Sequence, residues 1–202
     1  MKVKICGITR AEDAAQAEAA GADALGFIFV PGSKRELELA QAAAAMADVG
    51  PFVTRVGVFR NQALEDVRGV ARALKLSAVQ LHGDEDAAFA RALQKEFTVI
   101  KVWGFSSKLN RETVAAFPAD AVMVDGIKPG GGETFNWADA AHLRGIPKLI
   151  LAGGLKPENV TAGIEALRPY AVDVASGVEK SPGLKDEHKV LEFIRNAKAT
   201  AH

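Results

Sequence analysis

Short apolar runs recur along the whole chain: VKIC (3–6), ALGFIF (24–29), RVGVF (55–59), AVQLH (78–82), TVIKVW (98–103), AVMVD (121–125), KLILAG (148–153) and AVDVAS (171–176). Each is four to six residues long and rich in Val, Ile, Leu or Phe, the pattern of strands buried on both faces. Between them lie segments with helical spacing and strong helix formers: 11–22 behind Thr9 as a plausible N-cap, 35–49, 63–75, 84–96, 156–169 and 186–199. The segment 106–120 is the weakest helix, and the stretch after the sixth run is mostly loop before a short WADAAHLRG. Eight strands alternating with helices predict an α/β chain, a parallel eight-stranded (β/α)₈ barrel of the TIM type rather than an open sheet. No linker, repeat signature or charge block divides the chain, so residues 1–202 read as one domain with short helices and few long loops.

The polar residues inside these runs point to chemistry. Cys6, the only cysteine, closes the first run in KICGIT (4–9), and Asp125 closes the sixth in AVMVDG (121–126). Strand C-termini are where α/β folds place catalytic groups. A free cysteine is also among the most buried residue types, and position alone leaves both readings open. Lys4 and Cys6 share a parity, as do Gln80 and His82, and Met123 and Asp125; Lys101 and Asp173 interrupt otherwise apolar runs. Cys6, His82 and Asp125 are expected to line one cavity at the C-terminal mouth. Lys4, Lys101 and Asp173 suit a structural ion network lower in the barrel, since burial against the helix layer is costly without partners.

Two glycine-bearing loops follow the last two strands: LAGGLKPENV (151–160), with Gly153 and Gly154, and ASGVEKSPG (175–183), with Ser176 and Gly177. Backbone N–H groups there can approach an anion, and many barrels hold a substrate phosphate at these loops. KPGGGETF (128–135) lacks a following GK[ST] and reads as a loop beside Asp125 that can close over a ligand. Arg35, just after the second strand, carries a planar fork suited to a carboxylate; alone it would read as a solvated arginine in a helix first turn.

Composition narrows the class. Lys plus Arg and Asp plus Glu are 25 each, a net charge of zero without the basic surplus of a nucleic-acid binder. No run is long and apolar enough for a membrane span, no signal peptide is evident, and a single cysteine excludes an intrachain disulfide. A cytoplasmic protein acting on a small molecule, without nucleic acid or membrane partners, as monomer or homodimer, is the expectation.

KICGIT, LGFIFVPGSKR, RVGVF, VQLHGDE, the GGGETFNW segment, LAGGLKPENV and VDVASGVEKSPGLKD resemble, in order and spacing, the phosphoribosylanthranilate isomerase family of tryptophan biosynthesis. Ala175 stands where that pattern more often has serine, and Asn61 and the pair His82-Gly83 stand where it expects them. The resemblance implies an Amadori rearrangement of N-(5-phosphoribosyl)anthranilate to 1-(2-carboxyphenylamino)-1-deoxyribulose 5-phosphate, with no metal and no organic cofactor. It implies Asp125 as the acid at the ribose ring oxygen and Cys6 as the base at C2, acting from opposite barrel strands. It assigns Arg35 to the anthranilate carboxylate; Gln80, His82 and Asp173 are further expected to contact substrate. The phosphate falls to Gly153, Gly154, Ser176 and Gly177. That chemistry requires surroundings that favour the Cys6 thiolate and keep Asp125 protonated.

The same residues weigh against other classes. A metal-dependent epimerase needs several His and carboxylate ligands at strand tips, and of four histidines only His82 lies at one. The related histidine-pathway isomerase looks for an aspartate in place of Cys6. A Schiff-base enzyme using Lys4 or Lys101 would leave Cys6 and Asp125 idle. The alternative from another class is a non-catalytic sugar-phosphate-binding barrel.

Overall fold

The computed structural model describes residues 1–106, 108–126 and 136–200. Eight strands pair in parallel and in chain order, and the eighth closes on the first: β1 (Lys2–Cys6), β2 (Ala24–Ile28), β3 (Thr54–Phe59), β4 (Ala78–Leu81), β5 (Thr98–Gly104), β6 (Ala121–Asp125), β7 (Leu149–Leu151) and β8 (Ala171–Val174). Among the described residues, seven helices lie outside them: α1 (Ala11–Ala19), α2 (Leu39–Met46), α3 (Leu64–Ala73), α4 (Ala87–Gln94), α5 (Arg111–Ala116), α6 (Val160–Leu167) and α7 (Glu187–Ala199). The chain is the (β/α)₈ barrel that the alternation of runs predicts. Among the described residues, the β6–β7 connection carries a 3₁₀ turn, Ala141–Leu143, in place of a helix.

Strand parity sorts the side chains. Val56, Ala78, Ile100, Val102, Met123, Ile150, Ala152 and Ala171 fill the lumen as one cluster, with Ala24 and Ala121 packed against it. The alternate residues, among them Val3, Ile5, Leu25, Phe27, Phe59 and Leu81, join the larger core between sheet and helices. Small side chains thus alternate with large ones inside a barrel too narrow for uniform packing.

Local chemistry shifts the element ends from their predicted places. Helix α2 starts at Leu39 rather than residue 35, because Glu38 and Gln41 form a reciprocal capping box there. Glu36 is drawn into a parallel bridge with Ile28, so Arg35 stands in the loop rather than in a helix first turn. Thr9 does not cap α1: the N-cap is Arg10, and the Thr9 hydroxyl donates to the Gly183 carbonyl. That bond ties the β1 tip to an antiparallel hairpin, β9 (Glu179–Ser181) and β10 (Leu184–Lys185), which precedes α7.

Candidate active site

The C-terminal mouth of the barrel holds a cleft of ≈ 570 Å³, lined in part by Cys6 from β1, Gln80 from β4, Asp125 from β6 and Asp173 from β8. Arg35 from the β2 loop and His82 just past β4 complete its sides. Gly153, Gly154, Ser176 and Gly177 form part of its rim. Every residue singled out from the sequence for catalysis, substrate or phosphate therefore faces one cavity. The glycine segment 128–135 lies outside the described residues.

Cys6 and its neighbours are positioned by register. Across the β1–β8 seam Lys4 pairs with Asp173, and across β1–β2 Cys6 pairs with Gly26. Lys4 Nζ donates to Asp173 Oδ1 at 2.7 Å, both side chains being buried. A Cβ built on Gly26 would stand 2.7 Å from Cys6 Sγ and 3.0 Å from Lys4 Nζ, so the missing side chain is what admits both groups. The thiol is not tuned as the chemistry demanded. Burial pushes it up, Lys4 pulls it down, Asp173 pushes it up again, and the net lies above the usual thiol value. Burial would also lower Lys4, but Asp173 first and Cys6 next hold it well above the ordinary lysine range.

Asp125 is 6% exposed and accepts the Gly126 N–H on Oδ1 at 2.8 Å. His82 Nε2 lies 3.4 Å from its Oδ2, within ion-pair reach but without hydrogen-bond alignment. His82 Nδ1 is 3.3 Å from Gln80 Nε2. With the Gln80 amide donating there, Nε2 carries the imidazole proton and faces Asp125. Gln80 Oε1 is buried and has no hydrogen-bond partner among the described residues. Strands β1 and β6 are not diametrically opposed, since only β7 and β8 separate them on one side.

The rim loops meet by close backbone approach. Gly153 adopts φ +84°, and a Cβ there would fall 2.3 Å from the Gly126 nitrogen, so this glycine also shapes the turn after Asp125. A Cβ on Gly177 would fall 1.9 Å from the Leu155 carbonyl oxygen, which packs the β8 loop against the β7 loop.

Arg35 is held by a carboxylate of the protein itself. Its Nε and Nη2 donate to Glu179 at 2.7 and 2.6 Å. Glu179 also accepts Lys185 Nζ at 2.9 Å, and Lys185 donates to the carbonyls of Cys6 and Ala175 at 2.6 and 3.2 Å. Burial alone would raise Glu179, but the two cations hold it below the usual carboxylate value. Burial of Lys185 outweighs its attraction to Glu179, and its value is pushed down. Sequence reasoning overlooked both residues, although each sits in the motif VEKSPGLKD; loop charges without strand or helix periodicity carry no burial signal.

Lys101 corrects the expected ion network. Its chain neighbours Ile100 and Val102, of the opposite parity, fill the lumen, so Lys101 points to the helix layer. There it donates to Glu85 Oε2 at 3.0 Å and to the Gly83 carbonyl at 2.6 Å, with the Phe117 ring 5.8 Å away. Glu85 in turn accepts the N–H groups of Asn61 and Gly83. The ions expected together divide into two separate pairs, Lys4–Asp173 within the barrel and Lys101–Glu85 outside it. Among the described residues, no group of three or more His, Cys, Asp or Glu is arranged to hold a metal ion.

Comparison with known proteins places this geometry. Residues 3–196 match the family of N-(5'phosphoribosyl)anthranilate (PRA) isomerase. The chain is 46% identical to the N-(5'-phosphoribosyl)anthranilate isomerase of Trichlorobacter lovleyi, covering 98% of each protein. It superposes on the crystal structure of phosphoribosyl anthranilate isomerase from Thermus thermophilus with a TM-score of 0.91, at 44% identity over the full length of both. A third relative, at 40% identity and a TM-score of 0.88, was solved with reduced 1-(o-carboxyphenylamino)-1-deoxyribulose 5-phosphate and is covered over 99% of its length, against 98% of this chain. The chain belongs to the phosphoribosylanthranilate isomerase family.

Proposed function

We propose that this chain performs the family's Amadori rearrangement with Cys6 as general base and Asp125 as general acid. The observation that carries this is their common opening onto one cleft, with glycine loops on its rim. Asp125 protonates the ribose ring oxygen, the C1–O bond breaks, and the ring opens to a Schiff base. Cys6 as thiolate removes the C2 proton, giving an enolamine that tautomerises to the ketone. The proton given and the proton taken balance, so the reaction is an isomerisation without an external reductant or oxidant.

The other assignments follow from place and charge. Substrate phosphate binds at the rim of Gly153, Gly154, Ser176 and Gly177, where the backbone can approach an anion. Arg35 spends Nε and Nη2 on Glu179, leaving the Nη1 edge of its fork for the anthranilate carboxylate. Gln80 offers to a substrate hydroxyl a buried oxygen that has no partner among the described residues. Among the described residues no helix is long and apolar enough to cross a membrane. A reducing cytoplasm suits an enzyme whose base is a free thiol.

The test is the decay of anthranilate fluorescence when purified protein meets freshly prepared phosphoribosylanthranilate. Enzyme-dependent decay at catalytic protein concentration supports the reading. Binding of the substrate without turnover would instead identify a sugar-phosphate-binding barrel.

A further inference from the structure

Lys4 is a buried charge inside the barrel that this chemistry leaves unused. Its side chain is 5% exposed and that of its partner Asp173 10%. A lysine inside a barrel carries a large desolvation cost, and an apolar side chain of similar length would fill the space, as Met123 does on β6. Its position explains what the charge is for. Lys4 precedes Cys6 by two residues on the same face of β1, and the ammonium and the sulfur both border the space that Gly26 leaves open, 3.0 and 2.7 Å from where its Cβ would stand.

The other charges near the sulfur are otherwise engaged. Lys185 reaches the Cys6 carbonyl rather than the thiol, and both it and Arg35 are paired with Glu179. Asp125 and His82 line the same cleft beside each other. Lys4 is therefore the cation on the lumen side of the thiol, and it is shared with Asp173.

Resting on the reading of Cys6 as the base, we propose that Lys4 is the fixed counter-cation of the Cys6 thiolate. Asp173 is the carboxylate that holds this cation in place and competes with the sulfur for its charge. Both are positioning residues for abstraction of the C2 proton. The charge balance sets the signs. Loss of the thiol proton takes the trio Lys4, Asp173 and Cys6 from neutral to one net negative charge. Without the ammonium the same step leaves two buried anions side by side; without the Asp173 charge it leaves a neutral ion pair.

The experiment reads the rate of Cys6 alkylation by iodoacetamide, a neutral reagent, against pH. The single thiol gives one adduct by mass spectrometry. Lys4→Met is expected to move the profile to higher pH and slow alkylation at neutral pH by about tenfold or more. Lys4→Arg should restore most of the rate, and Asp173→Asn should move the profile to lower pH. The pH profile of kcat/KM should shift upward with the Lys4→Met alkylation profile. An unshifted Lys4→Met profile, or an Asp173→Asn profile that stays in place or moves up, overturns the proposal. If Lys4→Met does not fold, the direction of the Asp173→Asn shift decides alone. Near-normal turnover by Cys6→Ser would sink the reading of Cys6 as base, whereas the alkylation profiles report on the counter-cation whether or not that reading holds.

Discussion

The Arg35 guanidinium grips Glu179 through two parallel hydrogen bonds, 2.7 Å from Nε and 2.6 Å from Nη2. The same carboxylate holds Lys185, whose ammonium rests on the carbonyl of Cys6. One buried anion thus links the cation proposed to hold the substrate carboxylate with the strand tip that carries Cys6, the proposed base. Glu179 therefore orders both the guanidinium proposed to meet the substrate carboxylate and, through Lys185, the backbone at Cys6.

Glu179→Gln should loosen both ends at once. Removing one partner of a buried ion pair costs about 3–5 kcal/mol, so the variant should unfold at lower urea than the wild type at neutral pH and show a raised KM. Because Glu179 is held below the usual carboxylate value, its contribution is complete above the unfolded glutamate value of about 4.3 and is lost as pH falls through the lower folded value. The stability gap between wild type and variant should therefore narrow on acidification below that point. A gap that widened in acid would contradict the assignment.

Lys101→Met should separate structure from catalysis. The substitution leaves Glu85 buried with only backbone donors, so stability should fall by about 3–5 kcal/mol. Lys101 lies outside the lumen, and kcat of the folded variant at low temperature should stay close to that of the wild type. A loss of kcat with unchanged stability would return Lys101 to the active site.

Gly26→Ala places a methyl group 2.7 Å from the thiol sulfur and 3.0 Å from the Lys4 ammonium. A displacement of about 1 Å at a reacting group can cost about 10²-fold in rate, so kcat should drop strongly while the barrel persists by circular dichroism. Unchanged kcat would show that the sulfur and the ammonium can part freely.

The barrel was readable because each of its strands is a short apolar run and every interval but one holds a helical pattern. The candidate site was readable because Cys6 and Asp125 end such runs and because glycines cluster after β7 and β8. Parity was the weaker guide. Lys4 and Lys101 both interrupt apolar strands, yet one faces the lumen and the other the helices, a choice settled by which face Ile100 and Val102 fill. The Glu179–Lys185 pair was hidden because its residues lie in a hairpin, where neither a period of two nor one of 3.6 marks burial. The state of the thiol was beyond the sequence too, since it depends on burial and on the balance between Lys4 and Asp173, the latter distant along the chain and brought beside Lys4 only across the barrel seam.

The central claim is that Cys6 and Asp125 are the base and acid of a single isomerisation. Its most direct test is kcat, measured by anthranilate fluorescence under saturating phosphoribosylanthranilate, for Cys6→Ser and Asp125→Asn beside the wild type. General acid–base groups contribute about 10²–10⁴ in rate, so each variant should lose at least that much kcat while still binding a reduced product analogue. Near-wild-type kcat in either folded variant would contradict the account, leaving Cys6 as a packing residue in the one case and Asp125 as a structural carboxylate in the other.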